Sequence, residues 1–181
     1  GWYGNDDNNK FIRAESNNGR TEFVLMEADG PGAIVRFWMT FAGANSGRGT
    51  LRIYIDDETY PSIEGTAFNV LSGTTVTSGW LANSVSPLTP LEQRGHNLYH
   101  PIPYAKKCKV TYECLQTNGS GEGATPANET VYYNINYRTY KTGTRVVSYS
   151  RAESYKALAS NVQKRLNERP RDKGSAQLSL N

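Results

Sequence analysis

At 181 residues, the chain has room for one domain with a real core and is too short for two ordinary ones. Its 20 basic and 17 acidic residues are interspersed, leaving a net charge of +3 and no strongly basic face of the kind that nucleic-acid binding requires. No run of about 18 apolar residues offers a transmembrane helix.

Short runs rich in Thr, Val, Ile and Tyr, with 17 Gly and 8 Pro as punctuation, favour an all-β fold, a sandwich before a small barrel. Trp2-Tyr3 and the Asn/Asp run at 5–9 read as a loop. Thr21 to Met26 reads as a strand, followed by a dense turn signal at 28–32. A long strand spans 33–41, with Val35, Phe37, Met39 and Phe41 expected on one face and Ile34, Arg36, Trp38 and Thr40 on the other. After a flexible turn at 43–49, Leu51, Ile53 and Ile55 alternate in a strand over 50–56. Phe68, Val70 and Leu71 suggest a short strand, and 86–92 a proline-bearing loop. Pro101 and Pro103 demote 98–104 to an edge strand at best. Strands follow at 107–114 and 130–140, separated by a loop tip at 118–128, and 144–149 is expected to close the β region.

The pattern then changes. Ser150 to Glu153 forms a capping box. The helix it opens carries Tyr155, Leu158, Ala159, Val162 and Leu166 at helical spacing, and Pro170 stops it. The residues predict an all-β jelly-roll β-sandwich over 1–149, with one C-terminal α-helix over 150–169. Gln177 to Leu180 reads as a strand opening a second domain outside this chain, so that 170–181 would be its first residues. An immunoglobulin-like sandwich is the alternative, without the Cys…Trp…Cys spacing that would support it.

Most familiar chemistry fails its structural test. His96 and His100 lie too far apart on an extended chain to share a metal and read as polar loop histidines, so neither a metal site nor a cofactor is expected. There is no Gly-x-Ser-x-Gly elbow. Gly43, Gly47 and Gly49 sit between strands and precede no helix, which excludes a phosphate loop. Cys108 and Cys114 cannot pair within one strand, and Cys108 reads as a small buried hydrophobe. The carboxylates show no spacing that identifies a catalytic pair, and Asp56-Asp57 reads as a turn cap. What remains is chemistry suited to sugars. Trp2 and Tyr3 offer aromatic faces, Asn5, Asp6, Asn8 and Asn9 offer partners for hydroxyls, and Arg94, His96 and Asn97 add polar groups beside Tyr99 and Tyr104. Trp2 serves equally as a core plug, and the Asn/Asp run reads first as a turn.

Six stretches in order carry a resemblance: Gly-Trp-Tyr-Gly-Asn-Asp at 1–6, Phe-Ile-Arg-Ala-Glu at 11–15, the segments at 27–38, 49–56 and 93–111, and Tyr-Tyr-Asn-Ile-Asn-Tyr-Arg at 132–138. Together they resemble the N-terminal half of glycoside hydrolase family 172, with Trp2-Tyr3 where that family usually has Trp-Phe. The resemblance implies tandem jelly rolls assembled as trimers or their multiples. It also implies retaining action on furanosides such as α-D-fructofuranosides and α-D-arabinofuranosides, with the catalytic glutamates in the second jelly roll. No catalytic residue is therefore carried onto this chain, which is expected to be inactive alone. Trp2, Asn5, Asp6, Arg94, Asn97 and Tyr104 match positions near the sugar pocket and are the expected substrate-binding residues. The implied partners are a carbohydrate substrate, the second jelly roll and further copies of the protein, with no nucleic acid and no membrane. The implied location is secreted or periplasmic. A non-catalytic carbohydrate-binding module and a capsid-like structural jelly roll are the alternatives.

Overall fold

The computed structural model describes residues 7–149 and 153–168. In chain order the strands are β1 (Arg13–Asn17), β2 (Arg20–Asp29), β3 (Gly32–Ala42), β4 (Thr50–Ile55), β5 (Ile63–Thr66), β6 (Ala82–Ser84), β7 (His96–Leu98), β8 (Ile102–Tyr104), β9 (Lys107–Glu113), β10 (Thr117–Asn118), β11 (Thr125–Pro126) and β12 (Thr130–Thr139). A short helix α1 (Ala67–Leu71) follows β5, and α2 (Glu153–Asn167) ends the described chain. One sheet, here called sheet A, has the order β1-β2-β9-β4-β5. The other, sheet B, has the order β12-β3-β7-β6, with β8 also paired to β3. All these pairings are antiparallel. The chain changes sheets between β2 and β3, β3 and β4, β5 and β6, and β8 and β9, and returns to sheet B at β12 after the separate β10–β11 ribbon; β9 thereby lies between β2 and β4, as expected of a jelly-roll β-sandwich.

Alternation builds the core between the sheets. From β3 come Phe37, Met39 and Phe41, from β4 Leu51, Ile53 and Ile55, and from β9 Cys108, Val110 and Tyr112. Both cysteines are free and buried, and burial pushes the Cys108 thiol up to about 12. The alternation expected through β3 fails at its first residues. Pairing with β12 skips Val35 between Asn136 and Tyr137, so that Ile34, not Val35, is buried. A one-residue bulge reverses the faces on either side of it. Leu25 is skipped in the same way between β2 and β9.

Two expected elements differ. The segment around Phe68–Leu71 is helical. Ala67, Val70 and Leu71 then share one buried face, and Thr66 Oγ1 accepts a hydrogen bond from the Asn69 amide as an N-cap. The segment at 98–104 takes in the last residue of β7 and then β8, which pairs with β3 alone and is the edge strand that Pro101 and Pro103 predict. Residues 144–149 form no strand. They follow β8 with one backbone bond, from Tyr149 N to Pro103 O, and one from Ala105 N to Ser148 Oγ, too few for a ladder. Both histidines are buried and not solvent-facing, at 0% exposure for His96 in β7 and 7% for His100 in the bend between β7 and β8. The cap at Ser150 and the strand at 177–180 fall outside the described residues.

Candidate functional site

Strand register assembles a polar row across the outer face of sheet B. Phe37 and Met39 point inward, so Trp38 between them points outward. Trp38 pairs with Asn134 of β12 on one side and with Asn97 of β7 on the other, and Asn97 pairs in turn with Asn83 of β6. Asn134, Trp38, Asn97 and Asn83 therefore cross four strands in line, a span of about 14 Å at the usual strand spacing. Asn134 is exposed, Trp38 and Asn83 are half-buried, and Asn97 retains 4% exposure.

Neighbours orient the row. Arg36, paired with Asn136, donates from Nη1 to Asn134 Oδ1 (3.3 Å) and Asn136 Oδ1 (3.4 Å). Tyr99 Oη donates to Asn97 Oδ1 (3.3 Å). A Cβ added at Gly95 would lie 2.8 Å from Trp38 Nε1, so a glycine there leaves the indole its place. An indole flanked by amides, a guanidinium and a phenol offers a ring face together with donors and acceptors, a combination that suits a polyhydroxylated ligand.

The structure separates the residues expected to bind sugar. Trp2, Asn5 and Asp6 lie outside the described residues. Asn97 is in the row. Arg94 lies two residues before β7 begins, and its guanidinium is bound to the preceding loop and the end of β6, donating to Thr89 O (2.7 Å), Pro87 O (2.8 Å) and Ser84 Oγ (3.3 Å). Tyr104 is fully buried in the core with its hydroxyl unpartnered, and burial pushes the phenol up to about 12. His96 is held between Ser72 Oγ (2.6 Å from Nδ1) and Leu91 O (3.0 Å from Nε2), and burial lowers its pKa. Sequence reasoning missed Trp38, Asn83 and Asn134 as site residues. For Trp38 and Asn134 the signal was present in the alternation of β3 and β12. For Asn83 it was absent, because a three-residue strand carries no readable period.

Sheet A presents a different outer face, a lattice of charges. Arg13 bridges Glu15 and Glu27, while Lys107 reaches Glu27 (2.9 Å) and Lys109 reaches Glu15 (2.6 Å). Arg13 and Lys107 together hold Glu27 down to about 2. Glu15, Glu27, Lys107 and Lys109 line a cavity of about 440 Å³ together with Tyr54 and Asp57. Beside it Glu22 is fully buried. Burial pushes its pKa up, but hydrogen bonds from Thr111, Arg20 and Tyr54 outweigh that and keep the carboxyl below its ordinary range. Glu15, Glu22 and Glu27 each already have a cationic or hydroxyl partner, so the lattice is structural in character. Among the described residues no group of three His, Cys, Asp or Glu side chains could hold a metal ion.

Comparison with protein families places the geometry. A family model described as the GH172 first beta-sandwich domain matches residues 1–157. No curated protein matches the sequence.

Proposed function

We propose that this chain, which belongs to glycoside hydrolase family 172 as its first β-sandwich domain, contributes carbohydrate contacts to an enzyme that cleaves furanosides. The substrates in this reading are α-D-fructofuranosides or α-D-arabinofuranosides, cleaved with retention. The catalytic pair belongs to a second sandwich, and no carboxylate here is assigned to it. The supporting observation is the Asn134–Trp38–Asn97–Asn83 row, which offers sugar-compatible groups on the outer sheet face of a domain from a glycosidase family. The same reading includes export from the cell and assembly into trimers or their multiples, as the family resemblance implies.

The test compares the chain alone with the protein that carries both sandwiches, using nitrophenyl α-D-arabinofuranoside and α-D-fructofuranoside oligosaccharides. The two-sandwich protein is expected to release product and the chain alone to release none. Trp38→Ala in the two-sandwich protein is expected to lower kcat/KM by about tenfold, roughly the loss of one aromatic contact. Unchanged kcat/KM in that variant would remove the row from the reading, and hydrolysis by the chain alone would overturn the placement of the catalytic pair.

A further inference from the structure

The Trp80 indole is 62% exposed, yet it is fixed in place. Its Nε1 donates to Asn167 Oδ1 at 2.7 Å, and its backbone amide donates to Gln163 Oε1 at 3.0 Å. Both partners lie on α2, and Gln163 also donates from Nε2 to Ser78 O. Gly79, at φ +67°, makes this approach feasible, since a Cβ there would meet Gln163 Oε1 at 2.9 Å. An exposed aromatic normally keeps rotamer freedom that a ligand must freeze. Here Asn167 holds the indole while Gln163 holds the backbone beneath it, so much of that freedom is already lost.

The indole borders a cavity of about 590 Å³ between α2 and β6, lined also by Asn83, Ser84, Val85, Gln163 and Asn167. The lining contains no charged side chain. Its polar atoms are only partly used. Asn83 Nδ2 donates to Trp80 O and leaves Oδ1 as an acceptor. Ser84 Oγ accepts from Arg94 and leaves its hydroxyl proton to donate. Asn167 Oδ1 accepts from the indole and leaves its amide donors. An acidic or phosphorylated ligand would find no charged group in the lining itself, the Arg94 guanidinium behind Ser84 being already engaged by Thr89 O and Pro87 O, and a wholly apolar one would strand these amides.

We propose that this cavity is a second carbohydrate site, which takes a neutral sugar ring stacked on Trp80, with its hydroxyls bonded to Asn83, Ser84 and Asn167. It adjoins the sheet-B row at Asn83 but does not need that row, and it does not depend on hydrolysis.

The test is isothermal titration calorimetry of the chain with neutral oligosaccharides of arabinofuranose, fructofuranose and glucopyranose, a readout that survives the removal of Trp80. Saturable binding is expected with at least one of them. Trp80→Ala should weaken that binding by at least about tenfold. Trp80→Phe, which keeps a ring and loses the bond to Asn167, should retain part of it, and Ser84→Ala should weaken it by about threefold. A Trp38→Phe background separates this signal from the row, and circular dichroism checks that α2 persists in each variant. The proposal is overturned if Trp80→Ala binds within twofold of the parent while α2 is intact, or if no sugar binds at concentrations up to about 10 mM. The second result would leave Trp80 as a contact for a protein surface.

Discussion

At the scale of single residues, the buried ionisable groups predict opposite responses to pH. Burial lowers the pKa of both His96 and His100 below the ordinary 6.5. The unfolded chain therefore binds more protons than the folded one just below that value, so their contribution to stability is present above it and is lost as pH falls. Glu129 acts in the other direction. Its Oε1 accepts from Tyr112 Oη and Gly47 N, both at 2.8 Å, its Oε2 has no partner, and burial raises its pKa above 4.5. Its contribution is present at low pH and is lost as pH rises through the folded value. Urea unfolding at pH 5.5 and 7.5 separates the two. His100→Gln should narrow the stability difference between these pH values by removing one acid-sensitive group. Glu129→Gln keeps an acceptor and removes the buried charge. Relative to the parent it should gain about 1 kcal/mol at pH 7.5 and less at pH 5.5. A parent no less stable at pH 5.5 in the Glu129→Gln background would contradict the histidine account. The depth of these groups was not legible in the sequence. His96 is flanked by Gly95 and Asn97 and reads as loop, and only its pairing with Met39 carries it inward.

At the scale of elements, close approach of backbone is what the loops require of their glycines. A Cβ at Gly49 would lie 2.2 Å from Glu113 O and 2.6 Å from the Tyr112 hydroxyl. The Gly49 amide donates to that hydroxyl at 3.0 Å, so the 43–49 turn is tied to β9 through the same tyrosine that bonds Glu129. Gly49→Ala should cost about 3 kcal/mol in chemical denaturation, because the neighbour it meets is main chain and cannot rotate away. Phe37→Ala, which empties a fully buried site in β3, should cost about 3–5 kcal/mol. Elements with several alternating residues were readable in advance. The inward faces of β4 and β9, and of β3 from Phe37 onward, follow from period two alone. Elements decided by a single residue were not readable. The bulge at Val35 depends on its partner strand, and the five residues at 67–71, four of them apolar, fit either period until the Thr66 cap and the buried face select a helix. Helix α2 carries its expected apolar stripe, but Leu158 is 62% and Val162 38% exposed, so the stripe finds only partial cover in this chain.

At the scale of the whole molecule, the two outer faces of the sandwich have divided their roles. Sheet A carries a self-neutralised lattice in which Arg13, Lys107 and Lys109 answer Glu15 and Glu27. Sheet B carries amides and an indole with hydrogen-bonding capacity that the sheet itself leaves in part unspent. The family assignment and the sandwich were accessible from ordered motifs and alternation. The row was not, because it unites residues from four strands whose register only the folded ladder defines. The most direct measurement is a chemical-shift titration of the isotopically labelled chain with arabinofuranose and fructofuranose oligosaccharides. The account predicts that the perturbed amides cluster at Trp38, Asn83, Asn97 and Asn134. Shifts confined to Trp80 and Asn167 would support the second site alone, and shifts gathered on Glu15 and Lys109 of sheet A would contradict the assignment of sheet B as the face that meets carbohydrate.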